Sequence, residues 1–257
     1  MARIVSIYCY PVKGMTPQKL ESANLTPGQT IPYDRAYAVE NGPGRFNPDE
    51  PKYLPKINFL MLMRHERLAA LKSEFDEASE TLTIFRDGRQ VARGQLSSKL
   101  GRQMIEQFLA SYMQAELKGP PRIVQAPGHS FSDVSAKCLH FVNLATVREL
   151  ERVVGKTLDP LRFRANVYFD GAEPWAETKW VGRTIAVGEA RLKAFAETER
   201  CDATNVNPAT AARDASIPPT LIRTFGHSHL GIYATVKSGG VIRPGDQVDA
   251  SVENAGA

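Results

Sequence analysis

Arg200, Cys201 and Asp202 stand together, and Thr204, Asn205 and Asn207 follow within a few residues. A thiolate is a soft metal ligand and a strong nucleophile, and an adjacent arginine favours its ionised form. The other two cysteines sit differently. Cys9, in Ile7-Tyr8-Cys9-Tyr10, and Cys138, in Lys137-Cys138-Leu139-His140, lie in strand-like stretches where cysteine behaves as a small buried hydrophobe. Cys201 is therefore the candidate for metal ligation or a covalent step. A metal-free nucleophile needs a base, and no histidine stands within fifty residues before Cys201. His227 and His229 follow at a distance that only folding can close.

Short hydroxyl and amide side chains after the cysteine bind their own backbone and leave main-chain amides free for a ligand. Cations stand elsewhere, at Lys13, Arg35, Arg162 and Arg164. Arginine offers a fixed fork of donors and lysine a compact charge, both suited to a phosphate. From the residues alone Lys13 is equally a surface charge, Arg35 an ion-pair partner of Asp34, and Arg164 a solvated strand residue. No GxGxxG or GxxxxGK[ST] loop occurs, and Asp170-Gly171 and Ser238-Gly239-Gly240 read as turns.

The elements that must position these residues are short. Residues 3–9 and 35–40 read as strands, and the proline-rich stretch 42–55 as a surface loop that could cover a site. Residues 60–71 suggest a strand passing into a helical turn. Residues 81–86 alternate up to Asp87-Gly88, a hairpin signal. Residues 99–113 read as a helix with Leu100, Met104, Ile105, Phe108 and Tyr112 on its packed face. Gly119-Pro120-Pro121 breaks the chain and divides it into 1–118 and 119–257. Beyond it a strand at 139–142, a helix at 144–154, and strands at 167–169, 184–187 and 191–196 lead to a terminal hairpin of 232–236 with 241–248. Many short strands with few helices favour an α+β protein with a barrel or strongly bent sheet.

Composition narrows the classes. The 257 residues are 42% hydrophobic with a net charge of +4 spread without a basic run, which suits a small anionic ligand better than nucleic acid. Three scattered cysteines exclude a disulfide framework and a CxxC zinc site, and point to a reducing compartment. The N-terminus enters a strand pattern without a signal-peptide core, and no apolar stretch reaches the ~20 residues of a membrane span. The expectation is a soluble, cytoplasmic protein that binds neither membrane nor nucleic acid.

RCDATNVNPAT at 200–210, YPVKGM at 10–15, DRAYAVE at 34–40, RFRANVYFDG at 162–171 and IRPGDQV at 242–248 together resemble the MOSC family of molybdenum cofactor proteins. The enzymes it resembles are the mitochondrial amidoxime reducing component and its bacterial relatives. The resemblance implies a MOSC β-barrel core behind an N-terminal β-rich region, and a molybdopterin cofactor whose molybdenum is ligated by Cys201. It assigns cofactor contacts to Lys13, Arg35, Asn143, Arg164, Asn166, Arg200, Thr204 and Asn205. Departures are Gly14 and Asn143 where the family often has serine, Ala165 where it has proline, and Asn205 and Asn207 in place of threonine and aspartate. The implied activity is reduction of N-oxygenated small molecules such as N-hydroxylated bases. With no iron–sulfur ligand set, flavin fingerprint or haem motif in the sequence, electrons are expected from an external ferredoxin- or cytochrome-type protein and its reductase. The competing reading is a cofactor or sulfur carrier with a persulfide on Cys201, and a third is a cofactor-binding module without turnover.

Overall fold

Strand β1 (Ala2–Cys9) begins the chain and turns Ala2, Ile4, Ile7 and Cys9 inward. A bulge between Ile4 and Ser6 shifts the alternation by one residue, so apolar side chains keep to one face although their spacing changes. In the computed structural model, which describes residues 1–42 and 44–250, it is followed by β2 (Gln18–Leu20), β3 (Ala23–Leu25) and β4 (Ala38–Asn41). After the proline-rich loop come β5 (Lys72–Asp76), β6 (Thr81–Arg86), β7 (Arg89–Gln95), α1 (Lys99–Tyr112) and β8 (Pro121–Val124). The second half contains β9 (Leu139–Asn143), α2 (Leu144–Val154), β10 (Val167–Asp170), β11 (Thr184–Val187), β12 (Ala190–Glu199), α3 (Ile217–Phe225), β13 (His229–Ser238), β14 (Gly240–Ile242) and β15 (Gln247–Asp249).

Seven strands close into a barrel in the order β10-β9-β13-β12-β11-β15-β1, with β1 returning to β10 and β2 attached outside the ring. Only β9 and β10 run parallel, and α2 makes the crossover they require. The interior is a continuous apolar core that includes Ile7, Phe141, Phe169, Leu192 and Ile232. Because β1 pairs Arg3 with both Asp170 and Gln247, the first strand of the chain belongs to the barrel built by the second half. β2 and β3 also stay with the barrel, whose core takes in Ala23 and Leu25, while the elements from β5 to α1 form a separate core. Sheet β5-β6-β7 and helix α1 enclose Leu82, Ile84, Ile105 and Leu109, together with Tyr37 and Leu60 from the segments that approach the barrel.

Three expectations change. Helix α1 forms where anticipated, but its packed stripe is Gly101, Ile105 and Leu109, while Leu100 is 68% and Met104 50% exposed. Gly101 decides the rotation of the helix: a Cβ there would stand 2.1 Å from the Gln95 carbonyl oxygen, so only glycine lets the helix lie on β7. Residues 60–71 form turns and a short 3-10 segment, Glu66–Ala70, with no strand. The terminal hairpin is absent because both edges of β13 are already taken by β12 and β9. β14 pairs instead with β3, and β15 with β11 and β1. Among the described residues no helix is long and apolar enough to cross a membrane.

Candidate functional site

Where β1 runs out of the barrel into the N-terminal half, the two cores leave a cleft of about 420 Å³ between them. Segments from both halves line it. Lys13, Gly14 and Arg35 come from the turns after β1 and before β4. Arg162 and Arg164 come from the 3-10 segment Pro160–Phe163 and its cap, and Arg200 and Cys201 follow the end of β12. Gly14 has φ +83, and a Cβ there would meet the Leu60 carbonyl oxygen at 3.0 Å, so this backbone does not accept a serine without shifting.

The cations are held by the fold. Lys13, only 7% exposed, donates to the Phe131 carbonyl at 2.8 Å and pairs with Asp133. Arg35 pairs with Asp34 and donates to the Arg164 carbonyl, while Arg164 donates to the Met15 carbonyl at 2.9 Å. Arg200 donates through Nη2 to the Phe163 carbonyl at 2.8 Å, and its Nη1 lies 3.3 Å from His140 Nε2. Burial lowers the pKa values of Lys13, Arg164 and Arg200, although Asp133 favours the charged form of each. Burial and the Arg200 and Arg35 charges hold His140 well below its ordinary range, so it stays neutral. The carboxylates Asp34 and Asp133 only partly balance this group, and an anion in the cleft would relieve the rest. Arg162 Nε, Arg200 Nε and Thr198 Oγ1 are buried with no hydrogen-bond partner among the described residues, and all three side chains line the cleft.

Cys201 is half-buried and precedes the 3-10 turn Asp202–Asn205, where Thr204 returns its backbone N–H and its hydroxyl to the Cys201 carbonyl at 3.0 and 2.9 Å. Both bonds engage the carbonyl, and the sulfur is left to Lys56 and the cleft. Among the described residues no three His, Cys, Asp or Glu side chains cluster as a metal site. A metal on Cys201 must therefore bring its other ligands with it.

The comparisons with known proteins bear on that arrangement. Residues 127–249 match the MOSC domain, and residues 1–119 match the MOSC N-terminal beta barrel domain. The chain belongs to the MOSC family. Proteins named molybdenum cofactor sulfurase from Drosophila mojavensis and Drosophila willistoni are 25% and 26% identical to it over 254 residues, covering 90% and 91% of this chain. The match covers 31% of each of them, so the MOSC chain spans about a third of the length of these curated relatives. Among solved structures, the YuaD protein of Bacillus subtilis aligns with a TM-score of 0.45 at 14% identity, over 96% of this chain and 93% of its own. YiiM of Geobacillus stearothermophilus aligns with a TM-score of 0.36 at 19% identity, over 46% of this chain and 56% of its own.

Of the residues singled out in this MOSC sequence, the cleft gathers Lys13, Arg35, Arg164, Asn166, Arg200, Cys201 and Thr204. Asn166 reaches the wall with its amide already engaged, donating to the Tyr8 carbonyl at 3.1 Å and accepting from His140 N at 3.1 Å. Asn143 and Asn205 lie outside the lining of the cleft. Asn143 lies at the end of β9, fully buried, where it accepts from Ala145 N and donates to Glu173 O and Glu177 Oε2. It caps α2 and satisfies a buried carboxyl. Asn205 accepts from Ile217 N at 2.7 Å and donates to Asp202, fixing the loop to α3.

Sequence reasoning missed Lys56, Asp133, Glu197 and Tyr233 in the cleft wall. Burial opposes the charge on Lys56, but Asp133 and a hydrogen bond to Cys201 outweigh it and raise its pKa. The loop that carries Lys56 is held by Phe46, Phe59 and Phe131, and by Tyr53, whose hydroxyl donates to the Asp133 carbonyl at 2.9 Å. The one available signal was the proline density of that loop, which argued for a cover over the site without naming the lysine. Pro43 falls outside the described residues.

Proposed function

We propose that this protein is a molybdenum-cofactor-dependent reductase of N-oxygenated small molecules, re-reduced by a separate one-electron protein of ferredoxin or cytochrome type. The observation that carries the reading is a free thiol, Cys201, in a cleft whose walls hold four arginines and two lysines drawn from both halves of the chain. The donor set fits a phosphate-bearing pterin. Arg162, Arg200 and Thr198 each carry an unpartnered buried donor, and the cleft is short of negative charge. Lys13, Arg35 and Arg164 would hold the phosphate end, Arg200 and Thr198 the polar pterin, and Cys201 the metal. The cofactor, when bound, supplies oxygen-atom abstraction and a place for two electrons.

The chain's own residues then orient and neutralise. Lys56 lies beside Cys201 with Asp133 near it, and Met61, Leu62 and Met63 give the cleft an apolar stretch for the body of an organic substrate. The test is elemental analysis of the purified protein with oxidised-pterin fluorescence, followed by turnover of an amidoxime with reduced viologen. Near-stoichiometric molybdenum and pterin with turnover supports the reading; molybdenum without turnover of any N-hydroxylated compound reduces it to a cofactor-binding module.

A second reading is a sulfur-handling protein with a persulfide on Cys201. The names of the curated relatives favour it, as does the ammonium of Lys56 beside the sulfur. Cyanide-labile sulfur on Cys201 in a protein free of molybdenum and pterin would establish it in place of the first.

A further inference from the structure

One wall of the cleft carries a histidine that the cofactor site does not use. His229, the first residue of β13, places Nδ1 3.0 Å from Glu197 Oε2 on β12, and both side chains line the cleft with Cys201. The Nδ1 proton is committed to the carboxylate, so Nε2 is the ring atom that gains and gives a proton. Behind it the backbone N–H of His229 donates to His227 Nδ1 at 3.3 Å, and the two imidazoles stack with centroids 5.8 Å apart at 16°. His227 accepts at Nδ1 and in its neutral form carries its proton on Nε2. Its ring lies edge-on to Trp175 at 5.3 Å, and Trp175 contacts Phe225 at 4.6 Å. Trp175 takes a left-handed backbone, φ +65, unfavourable for so bulky a side chain, and the ring contacts hold it there.

The other donors in the cleft are unsuitable for proton delivery. Lys13 is tied to Phe131 and Asp133, Lys56 is held charged by Asp133 and its hydrogen bond to Cys201, the arginines do not deprotonate, and burial pushes Tyr233 up to about 12. His140 is neutral and buried, with its Nε2 against Arg200. The groups facing His229 are Glu197 and Glu199 across β12, His227 on its own chain segment, and Arg200, Lys56 and Asp133 around the cleft. Glu177, on the 3-10 turn Ala176–Trp180 that packs on β13, stands near Glu197.

We propose that His229, oriented by Glu197 and backed by His227, delivers protons to the substrate in the cleft. The inference rests on the reductase reading. Reduction of R–NH–OH takes up two electrons from the external one-electron donor and two protons; the N–O bond breaks, N–H and O–H bonds form, and R–NH2 and water leave. His229 gives one proton, is reprotonated from solvent along the His227 side, and gives the second. Glu197 is a positioning residue that fixes the ring through Nδ1 and turns Nε2 to the substrate.

The experiment uses the molybdenum-loaded protein with reduced viologen and benzamidoxime, comparing wild type with His229→Gln, His229→Ala and Glu197→Gln. General acid catalysis contributes about 10²–10⁴-fold, so His229→Gln should lose at least about a hundredfold in kcat with the molybdenum-to-protein ratio unchanged. Imidazole in the buffer should restore part of the rate to His229→Ala, and Glu197→Gln should lower kcat with little change in KM. The readout independent of turnover is the nitrogen NMR signature of the His229 ring in the full chain, whose hydrogen-bonded Nδ1–H signal should be altered in Glu197→Gln. Wild-type kcat in His229→Gln, or a His229 Nδ1–H signal indifferent to Glu197→Gln, overturns the inference while leaving the reductase reading intact. A wild-type protein that reduces no N-hydroxylated compound overturns both.

Discussion

Arg35 donates through Nη2 to the backbone carbonyl of Arg164 at 2.9 Å, joining two cations 129 positions apart. Both residues have left-handed backbones, φ +54 and +52, and both guanidinium groups lie over the ring of Tyr10, at 4.6 and 4.4 Å. The Tyr10 hydroxyl donates to the Ala165 carbonyl at 3.1 Å, so the ring sets the spacing of the two charges. Charge-assisted phosphate contacts are worth about 1.5–3 kcal/mol each. Arg35→Ala, Arg164→Ala and Lys13→Ala should each weaken cofactor retention about tenfold or more, read as the molybdenum-to-protein ratio after gel filtration. Wild-type occupancy in all three would remove the anion pocket.

The three thiols should respond differently to alkylation. Burial, with Asp34 nearby, raises Cys9 far above the range where thiols react, and burial pushes Cys138 up to about 12, while Cys201 is half-exposed at the cleft. Iodoacetamide at mildly alkaline pH should add one group, at Cys201, and peptide mass mapping reads the site. Cys201→Ser should abolish turnover with the fold retained, whereas Cys9→Ser and Cys138→Ser should stay active.

Asn143→Ala should act on stability without touching the cleft. Losing a helix cap costs about 1 kcal/mol, and leaving Glu177 short of a donor costs about 1–3 kcal/mol more. Thermal unfolding several degrees lower, with unchanged molybdenum occupancy, is the expected pair of results. Lost occupancy at unchanged stability would return Asn143 to the cofactor site.

Burial raises the Glu177 pKa although Asn143 and Thr146 donate to its carboxyl group. A raised folded-state value means that the native protein holds the proton longer than the unfolded chain. This contribution is therefore present below the ordinary carboxyl range and fades as pH rises through the folded-state value. Glu177→Gln should flatten that part of the stability curve in denaturant titrations run at several pH values. An unchanged slope would place the ionisation elsewhere.

Electron supply gives the sharpest biochemical contrast. The expected result is turnover with reduced viologen and none with NADH or NADPH alone, NADH-driven activity appearing once a ferredoxin- or cytochrome-type protein and its reductase are added. Robust NADH-dependent turnover by the flavin-free chain would point to another redox centre.

Local patterns announced local structure. Asp87-Gly88 forms the β6–β7 hairpin, Gly155 ends α2 at φ +76, and the strand character around Cys9 and Cys138 leaves both buried. The rotation of α1 was not legible, because Leu100 and Met104 carry the right period while the close approach at Gly101 chooses a different face. The terminal hairpin failed for a similar reason: adjacent sequence cannot report that both edges of β13 are already paired. At the site, Cys201 and the cations were recognisable from motifs. Lys56 and Asp133 were not, because the first rides on an irregular loop and the second is one acid among many until folding sets it against Lys13. Asn143 is ambiguous in sequence because a cap and a ligand contact call for the same short amide after a strand.

The barrel's seam also imposes an order on its own assembly. Strand β1 finds β2 close by in sequence, but its barrel neighbours β10 and β15 come from the second half of the chain, so ring closure waits for both. Arg3 finds Gln247 only when almost the whole described chain is out, which places ring closure among the latest and slowest events of folding. Lys13 and Arg35 are tethered just beyond that seam. The cationic wall they form is therefore complete only once the barrel has shut.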